Sequence, residues 1–281
     1  MAVLNDYKTN VLDLKPSKKN AQLWVDNLEK HFGLKTVADI TADEIESYTK
    51  SRGVSVETVR RELSVLKSAL IRAERRDIIA KAPYIQLPPR PAPRERYLTR
   101  AEAAKLLWAS RRTHHLKMFL RLALYTGARP SAIFDLTWDR VDLHNGFIDY
   151  GTGKGNKRRG VKPVEGAMLA ALRRAKAKLA RELNLDDKLI GPKFVVSWKG
   201  KKIDRINNAF RKAVKRAGLS PDVIRYTLRH TMATWAAMAG ADLHAVGGML
   251  DHASPQMTAR YAKFSPGYLR QAARAALRGK R

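Results

Sequence analysis

A proline-rich segment constrains the fold of this chain more than any other feature. Four of the six residues from 88 to 93 are proline, within Leu87-Pro88-Pro89-Arg90-Pro91-Ala92-Pro93-Arg94. Proline lacks a backbone donor and has a fixed φ, so the segment cannot run through a helix or a central strand. With 281 residues, 44% of them hydrophobic, the chain is long enough for a domain on each side. We predict a first domain over residues 1–87, a linker over 88–96 and a second domain over 97–281.

The chain carries a large excess of positive charge. It has 55 lysines and arginines against 26 acidic residues, a formal net charge of +29, and no single tail holds the excess. A surface that is basic throughout attracts polyanions, among which nucleic acid is the usual partner. We therefore predict nucleic-acid binding that weakens steeply with salt, because neutralised phosphates release counterions.

The composition excludes several other classes of protein. There is no cysteine, which rules out disulfides, thiolate metal sites and a cysteine nucleophile. The first residues do not form a signal peptide, and no apolar run approaches the ~18 residues that a membrane helix requires. We expect a soluble, cytoplasmic protein with no membrane partner.

The region before the linker is predicted to be helical. Thr41 and Glu44 have the spacing of a capping box, which predicts a short helix towards Ser51. Ser55 is predicted to cap a longer helix whose apolar residues recur at helical spacing. These apolar residues are Val59, Leu63, Leu66 and Leu70.

The opposite face of this longer helix is basic. It carries Arg60, Arg61, Lys67 and Arg72. Such charges usually form an ordinary solvated surface. Given the net charge of the chain, and on the premise that no acidic residue balances this face, we favour a helix that faces DNA. The predicted DNA-binding residues of this region are Arg60, Arg61 and Lys67.

The region after the linker is predicted to be mainly helical with a small antiparallel sheet. Residues 99–102 form a second capping-box pattern, and the apolar run 118–125 is typical of a buried helix. Pro130 suits the first turn of the next helix. Residues 146–150 and 160–164 have the pattern of short strands around a glycine-rich turn. Further helices are predicted at 169–183, 207–217, 224–239, after Ser254-Pro255, and at 268–278. The predicted fold class is therefore mainly α, of the α+β type.

Two basic residues of this region occupy positions suited to a phosphate. Arg129 lies at a predicted helix entrance, as either a structural cap or a phosphate ligand. Lys154 lies in the glycine-rich turn, which is either an ordinary hairpin with solvated lysines or a mobile hairpin that delivers an ammonium to a leaving oxygen. Lysine suits this second role because its pKa can be lowered enough to donate a proton. Lys157 is an alternative donor in the same turn.

Three further polar residues lie in apolar helical sequence near the end of the chain. Arg229 needs an anionic partner if it is buried, either Asp222 or a DNA phosphate. His252 precedes a predicted helix start, where a capping histidine is the ordinary explanation. Tyr261 would ordinarily be a core aromatic. Taken together, these residues supply the cations, the hydrogen-bonding histidine and the hydroxyl that phosphodiester chemistry without a metal requires.

In this order along the chain, the residues resemble the active site of tyrosine recombinases of the phage-integrase family. The family's Thr-Gly-x-Arg-x-Ser-Glu motif is similar to residues 126–131, and its hairpin lysine to Lys154. Its His-x-Leu-Arg-His-Thr motif is similar to residues 226–231. Its Leu-Gly-His element and its nucleophile are similar to residues 250–252 and Tyr261. The resemblance covers nearly the whole chain.

Three positions depart from the family pattern. Ala132 stands where the family usually has an acidic residue, and Asp251 replaces the usual glycine before His252. Tyr226 occupies the position of the first histidine of the second motif. A tyrosine, with an unperturbed pKa of about 10, is a poor base at neutral pH but a good hydrogen-bond donor to a phosphate. We expect removal of the Tyr261 proton to be less assisted, or to fall to His252.

The resemblance implies a site-specific DNA recombinase, most similar in role to a phage or prophage integrase. Its nucleophile, Tyr261, would form a 3′-phosphotyrosine and release a 5′-hydroxyl, without a metal ion, ATP or any other cofactor. The two arginines would stabilise the phosphate charge and Lys154 would protonate the leaving oxygen. The implied catalytic residues are Arg129, Lys154, Tyr226, Arg229, His252 and Tyr261. Lys157 and Arg158 are further candidates for DNA binding.

The resemblance also implies a helical core-binding domain over residues 1–87, a catalytic domain after the linker, and four protomers on double-stranded DNA. The last predicted helix has a narrow apolar stripe that docks either on a neighbouring protomer or on its own domain. Its residues are Leu269, Ala273, Ala276 and Leu277. Accessory DNA-bending proteins are additional expected partners, and the nucleoid of a bacterial or phage-infected cell is the expected location.

Other functions fit parts of the pattern. A Xer-type or transposon recombinase shares the same residues, and a type IB topoisomerase shares the chemistry without exchanging partners. A recombinase relative that binds DNA without cutting it is the alternative favoured by the three departures. A regulator built from the helical domain explains the charge but not the ordered set of catalytic residues.

Overall fold

The structure is a computed structural model that describes residues 2–14, 18–153, 160–184, 192–198 and 200–265, with isolated helical positions after 265. The chain divides into two compact units, residues 1–94 and 95–281. The division falls within the segment predicted as a linker, and residues 81–99 form neither helix nor strand. Each unit has its own hydrophobic core.

The first unit is a bundle of helices built around a long central one. Its helices are α1 (Ala2–Tyr7), which continues as a π-helical turn over Lys8–Leu12, α2 (Lys18–Phe32), α3 (Ala42–Ser51) and α4 (Val56–Glu74). Helix α4 packs against α1 and α2. The prediction for α4 is confirmed, because the Ser55 hydroxyl accepts the Thr58 N–H at 3.3 Å. Its four predicted apolar residues are all buried.

The start of α3 differs from its prediction in one contact. The Thr41 hydroxyl accepts the Glu44 N–H at 3.3 Å, as expected. The Glu44 carboxylate does not complete a capping box; it lies 2.6 Å from the His31 Nε2 and 2.9 Å from the Lys35 Nζ. Glu44 therefore connects α3 to the end of α2, because these two side chains occupy the carboxylate in place of the backbone donor.

A buried carboxylate lies at the centre of this unit. Glu62 of α4 is fully buried and accepts hydrogen bonds from three side chains of the neighbouring helices. Arg52 donates at 2.8 and 2.9 Å, Tyr48 at 2.8 Å and Asn27 at 3.2 Å. A charge removed from water is tolerated only when it is paired and hydrogen-bonded in this way.

The second unit is mostly helical, as predicted, and its helices lie close to the predicted ranges, except that no helix was predicted at 243–249. They are α5 (Arg100–Ala109), α6 (His114–Thr126), α7 (Pro130–Asp135), α8 (Gly166–Leu183), α9 (Asn207–Arg216), α10 (Arg225–Met238), α11 (Leu243–Met249) and α12 (Gln256–Ala259). The capping box at the start of α5 is complete, since Thr99 and Glu102 each accept the backbone N–H of the other. The helix predicted at 268–278 lies largely outside the described residues, and its docking stays a prediction.

Two small antiparallel sheets accompany these helices. Strands β1 (Val141–Asp142), β2 (Phe147–Asp149) and β3 (Val161–Pro163) form the first, and β2 and β3 confirm the predicted hairpin. In its register Ile148 pairs with Lys162. Strands β4 (Ser197–Trp198) and β5 (Lys201–Lys202) form the second, which the sequence pattern did not predict.

Helix α10 is the central element of the second unit. It packs against α6 and α11, and Leu228 joins the main core. The Thr231 hydroxyl accepts the Leu98 N–H at 2.9 Å, and the Trp235 indole donates to the Leu98 carbonyl at 2.9 Å. None of the helices in the described ranges is long and apolar enough to cross a bilayer.

Candidate active site

The turn after α6 delivers the first predicted arginine. Gly127 ends α6 with φ +63°, and a Cβ there would lie 2.2 Å from the side chain of Met232 and 2.9 Å from that of Leu250. Only glycine fits this left-handed, crowded position. The chain then turns so that Arg129 precedes Pro130, the first residue of α7. The Arg129 guanidinium donates to the Asp251 carbonyl at 3.2 Å and thereby reaches the loop after α11.

The second predicted arginine, Arg229, is 2% exposed on α10. Its guanidinium donates to the Gly127 carbonyl at 2.7 Å and also to the Leu250 carbonyl. These carbonyls belong to the ends of α6 and α11, so one side chain fixes the relative position of three helices. Of the two partners considered for Arg229 from the sequence, Asp222 is not the one that it contacts, because the Asp222 carboxylate lies 3.7 Å from the Arg96 guanidinium.

His252 lies in the loop between α11 and α12, close to both arginines. Its Nδ1 is 2.7 Å from the Thr258 hydroxyl, and its backbone N–H donates to the Gly247 carbonyl at 3.0 Å. Burial, and then the positive charges of Arg229 and Arg129, lower the pKa of His252 to about 4. The ring is therefore neutral at physiological pH and has one N–H to donate.

Tyr261, the predicted nucleophile, follows α12 and is 3% exposed. Its hydroxyl lies 2.8 Å from the Nδ1 of His230, one residue beyond Arg229 on α10. Burial raises the pKa of the Tyr261 hydroxyl, and the charges of Arg260 and Arg229 act in the opposite direction. The phenol is therefore protonated at neutral pH and already has a hydrogen-bond partner.

His230 is the residue of this site that sequence reasoning did not select. It lies within the Leu228-Arg229-His230-Thr231 motif, so its position was visible in the sequence. Its contact with Tyr261 was not, because the two residues are 31 positions apart and meet only through tertiary packing. Burial, and then the charges of Arg260, Arg229 and His252, lower the pKa of His230 to about 4.

Tyr226 lies at the start of α10, one turn before His230, and is 44% exposed. Its ring meets the His230 ring edge-on, with centroids 5.0 Å apart. At this exposure the side chain is accessible to a phosphate that binds from solvent. Ala132, the departure beside Arg129, is buried in α7 within the main core.

Asp251, the third departure, is at the junction of the loop and the sheet. Its φ is +50°, the left-handed region that favours glycine and tolerates aspartate. Its carboxylate contacts the Lys162 ammonium, accepts the Gly160 N–H at 2.9 Å and lies 3.9 Å from the Arg129 guanidinium. The sequence shows that aspartate replaces the usual glycine at position 251, but it did not predict this network of contacts.

The predicted hairpin residues Lys154, Lys157 and Arg158 lie outside the described residues, so their roles remain predictions. The described residue that ends this turn, Gly160, is held by Asp251. Within the described ranges, no group of three His, Asp or Glu side chains has an arrangement suited to a metal ion.

The three DNA-binding residues predicted in the first unit lie on α4. Arg61 pairs with Glu57 at 2.8 Å, and Arg72 on the same helix pairs with Asp6 at 3.4 Å. The premise that acidic residues are missing from this face is therefore wrong for these two arginines. Arg60 donates to the Pro88 carbonyl, and the Lys67 ammonium lies 5.6 Å from the centre of the Tyr84 ring.

Comparison with known proteins identifies the class. The Phage integrase family matches residues 96–266. The chain is 30% identical over 268 residues to tyrosine recombinase XerC of Oceanobacillus iheyensis, covering 91% of this chain and 86% of the relative. It is 30% identical over 240 residues to the integrase of Salmonella phage P22, covering 80% of this chain and 58% of that protein.

Solved structures share the fold. A lambda integrase dimer bound to a COC′ core site superposes with a TM-score of 0.75 at 17% identity, covering 92% of this chain and 76% of that one. The Tn1549 transposon integrase in complex with transposon right-end DNA gives a TM-score of 0.71 at 19% identity, covering 92% and 94%. The chain therefore belongs to the phage integrase family, and it is a site-specific recombinase of the tyrosine class.

Proposed function

We propose that this protein cuts and rejoins double-stranded DNA through a covalent bond between Tyr261 and a 3′-phosphate. The observation that carries the proposal is that Arg129 and Arg229 converge on the loop that carries His252, and that the charge of Arg229 also acts on the buried Tyr261 hydroxyl. Arg229 and Arg129 approach one loop, at the carbonyls of Leu250 and Asp251. Cations that approach one place are a means of stabilising the charge that develops on a phosphate under attack.

Each residue has a distinct task in this mechanism. The two arginines bind the non-bridging oxygens, and the neutral His252 and the exposed Tyr226 donate hydrogen bonds to the same phosphate. Lys154 protonates the departing 5′ oxygen. The phosphotyrosine conserves the energy of the broken bond, so a 5′-hydroxyl of a second DNA reverses the step without ATP.

The partners follow from the charge and from the relatives. A net charge of +29 favours DNA, and related solved structures include complexes with DNA, among them a lambda integrase tetramer bound to a Holliday junction. We propose that four protomers act together here as well, with accessory DNA-bending proteins, on nucleoid DNA in the cytoplasm. Arg60, Arg61 and Lys67 in the first unit, and Lys157 and Arg158 in the hairpin, are proposed to bind phosphates.

Two biological roles fit this chemistry. The integration of a phage or prophage genome is the role that we favour, and relatives named integrase support it. Xer-type recombination is the second candidate, because the XerC relative matches over 86% of its own length. Plasmids that carry either two candidate attachment sites or two directly repeated sites distinguish the roles by which recombinant product appears.

A suicide-substrate assay tests the chemistry. Nicked duplexes from a candidate site are incubated with the protein, and an adduct that survives SDS is sought on denaturing gels. The adduct is expected with the natural chain and is expected to disappear in Tyr261→Phe while DNA affinity is retained. A fully occupied site without an adduct would show that the protein binds DNA without cutting it.

A further inference from the structure

His230 lies between the two tyrosines of the site. On one side its ring meets Tyr226 edge-on at 5.0 Å, and on the other its centroid is 6.0 Å from that of Tyr261. Its Nδ1 is 2.8 Å from the Tyr261 hydroxyl oxygen, which is the atom that attacks phosphorus in the proposed reaction. No reorganisation is therefore needed for a proton to pass between these two atoms.

The protonation states allow the Tyr261 hydroxyl to donate this hydrogen bond to His230. The Tyr261 phenol keeps its proton at neutral pH because burial raises its pKa. His230 is neutral because burial and the neighbouring cations oppose the imidazolium form. A neutral imidazole can accept a hydrogen bond from a phenol, and in the arrangement that the inference requires Nδ1 is the acceptor and Nε2 carries the ring proton.

The alternative base, His252, is less well placed for this task. Its Nδ1 is 2.7 Å from the Thr258 hydroxyl, which fixes that nitrogen at a partner other than the nucleophile. Tyr226 is no better, because a phenol is a poor base at neutral pH. His230 therefore fills, one helical turn along α10, the role that a histidine at position 226 would otherwise have.

The charges around His230 affect its strength as a base, in addition to its burial. Arg229 and Tyr226 face it from α10, Arg260 and Tyr261 from the end of α12, and His252 from the preceding loop. The cations among them disfavour the imidazolium in the free protein. A phosphate bound beside Arg229 offsets part of that positive charge, so proton transfer to His230 becomes easier when the substrate is in place.

We propose that His230 is the proton acceptor for Tyr261, an inference that rests on the proposed function. The Tyr261 O–H bond breaks and its proton moves to Nδ1 of His230, while the tyrosine oxygen bonds to phosphorus and the P–O5′ bond breaks. A separate donor, Lys154 in the proposed mechanism, protonates the 5′ oxygen. In the joining step the imidazolium returns its proton to the departing tyrosine oxygen.

The first test separates proton removal from leaving-group protonation. His230→Asn keeps a hydrogen-bond acceptor near Nδ1 but cannot take up the proton, and we expect cleavage to slow by roughly 100-fold. A substrate with sulfur in place of the bridging 5′ oxygen has a leaving group that needs no proton. It should leave the His230→Asn defect unchanged and should largely rescue Lys154→Ala. Rescue of His230→Asn by sulfur would overturn the proposal.

A matched control and a pH profile complete this test. His244 is an exposed histidine on α11, and His244→Asn is expected to cut at the natural rate. Cleavage by His230→Asn should increase steadily towards alkaline pH, where hydroxide ionises the tyrosine, whereas the natural chain should reach its plateau earlier. A natural chain that yields no adduct refutes the proposed function itself, whereas equal rates for the natural chain and His230→Asn refute only the role of His230.

A measurement on the unaltered chain keeps the inference testable if the variant does not fold. Nitrogen NMR of the labelled histidines reports which ring nitrogen carries the proton. We expect Nδ1 of His230 to be unprotonated and to respond to Tyr261→Phe. A ring protonated at Nδ1, donating to the tyrosine oxygen, would contradict the proposal.

Discussion

The ammonium of Lys162 contacts the carboxylate of Asp251, and the two side chains are only 2% and 8% exposed. Lys162 also donates to the Gly248 carbonyl at 2.8 Å, and Asp251 also accepts the N–H of Gly160. This pair therefore ties strand β3, at the end of the hairpin that carries Lys154, to the loop that carries His252. Asp251, which departs from the family pattern, therefore helps to hold the elements of the site together.

Asp251→Asn is expected to lower the free energy of unfolding by about 3 kcal/mol, because it leaves the Lys162 charge buried without its partner. The double variant Lys162→Met with Asp251→Gly is expected to lie within about 1 kcal/mol of the natural chain, since methionine fills the same space and glycine suits the positive φ. Denaturant titration followed by tryptophan fluorescence measures both.

An exposed pair of the same residue types provides the control. Lys202 lies 2.6 Å from Asp135, and both are more than one-third exposed. Lys202→Met is expected to change stability by less than about 1 kcal/mol. If Asp251→Asn costs no more than this control, the carboxylate does not compensate the Lys162 charge.

Glu62 is a buried carboxylate in the first unit, as Asp251 is in the second. Glu62→Gln is expected to destabilise that unit by about 3 kcal/mol, because Arg52 loses its charged partner and Tyr48 and Asn27 lose the geometry of the carboxylate. Glu57→Gln, which breaks only the exposed pair with Arg61, is expected to cost less than about 1 kcal/mol. Hydrogen exchange localises the effect, and equal protection of α4 in both variants would count against it.

Local rules predicted much of this structure from the sequence. Pro130 placed Arg129 at a helix entrance, and residues 99–102 formed the capping box that they predicted. The 3.6-residue period of α4 identified its buried face. These features depend on neighbours within one or two turns, so a single sequence contains the information that they need.

Contacts across long separations were not predictable in this way. The sequence pattern predicted strand β3, but the burial of Lys162 depends on a loop 89 positions away. The same holds for His230, whose partner Tyr261 belongs to another element. The pairing of Arg61 with Glu57 was within reach, since acid and base at i and i+4 meet on a helix surface.

Replacing Arg129 or Arg229 by alanine is expected to slow catalysis to a similar extent but to lower the stability of the protein by different amounts. Arg129→Ala and Arg229→Ala should each slow covalent adduct formation by roughly 100- to 1,000-fold, because each removes a phosphate ligand. Arg229→Ala should also cost about 3 kcal/mol of folding free energy, since it leaves two buried carbonyls without their donor. Arg129→Ala should cost about 1 kcal/mol of folding free energy, because the Arg129 side chain is 27% exposed. Single-turnover cleavage and thermal unfolding measure the two effects, and equal destabilisation by the two variants would contradict this difference.

Tyr226→Phe is expected to slow cleavage by about tenfold, the effect of losing one hydrogen bond to the phosphate. Stability should be unchanged, because the residue is 44% exposed and the substitution removes only its hydroxyl. The sign of the effect distinguishes the proposed role from a steric one: an increase in cleavage rate would show that the hydroxyl obstructs the phosphate.

The two depressed histidine pKa values predict an acid sensitivity that begins well above the range in which carboxylates titrate. His230 and His252 have pKa values of about 4 in the folded chain, against about 6.5 for an unfolded histidine. Below about pH 6.5 the unfolded state therefore binds more protons than the folded state, and the free energy of unfolding decreases as the pH drops towards 4. Melting temperatures between pH 7 and pH 5 should fall less steeply for His230→Asn than for the natural chain, while His244→Asn should follow the natural chain. Parallel curves for the natural chain and His230→Asn would show that His230 titrates normally in the folded state.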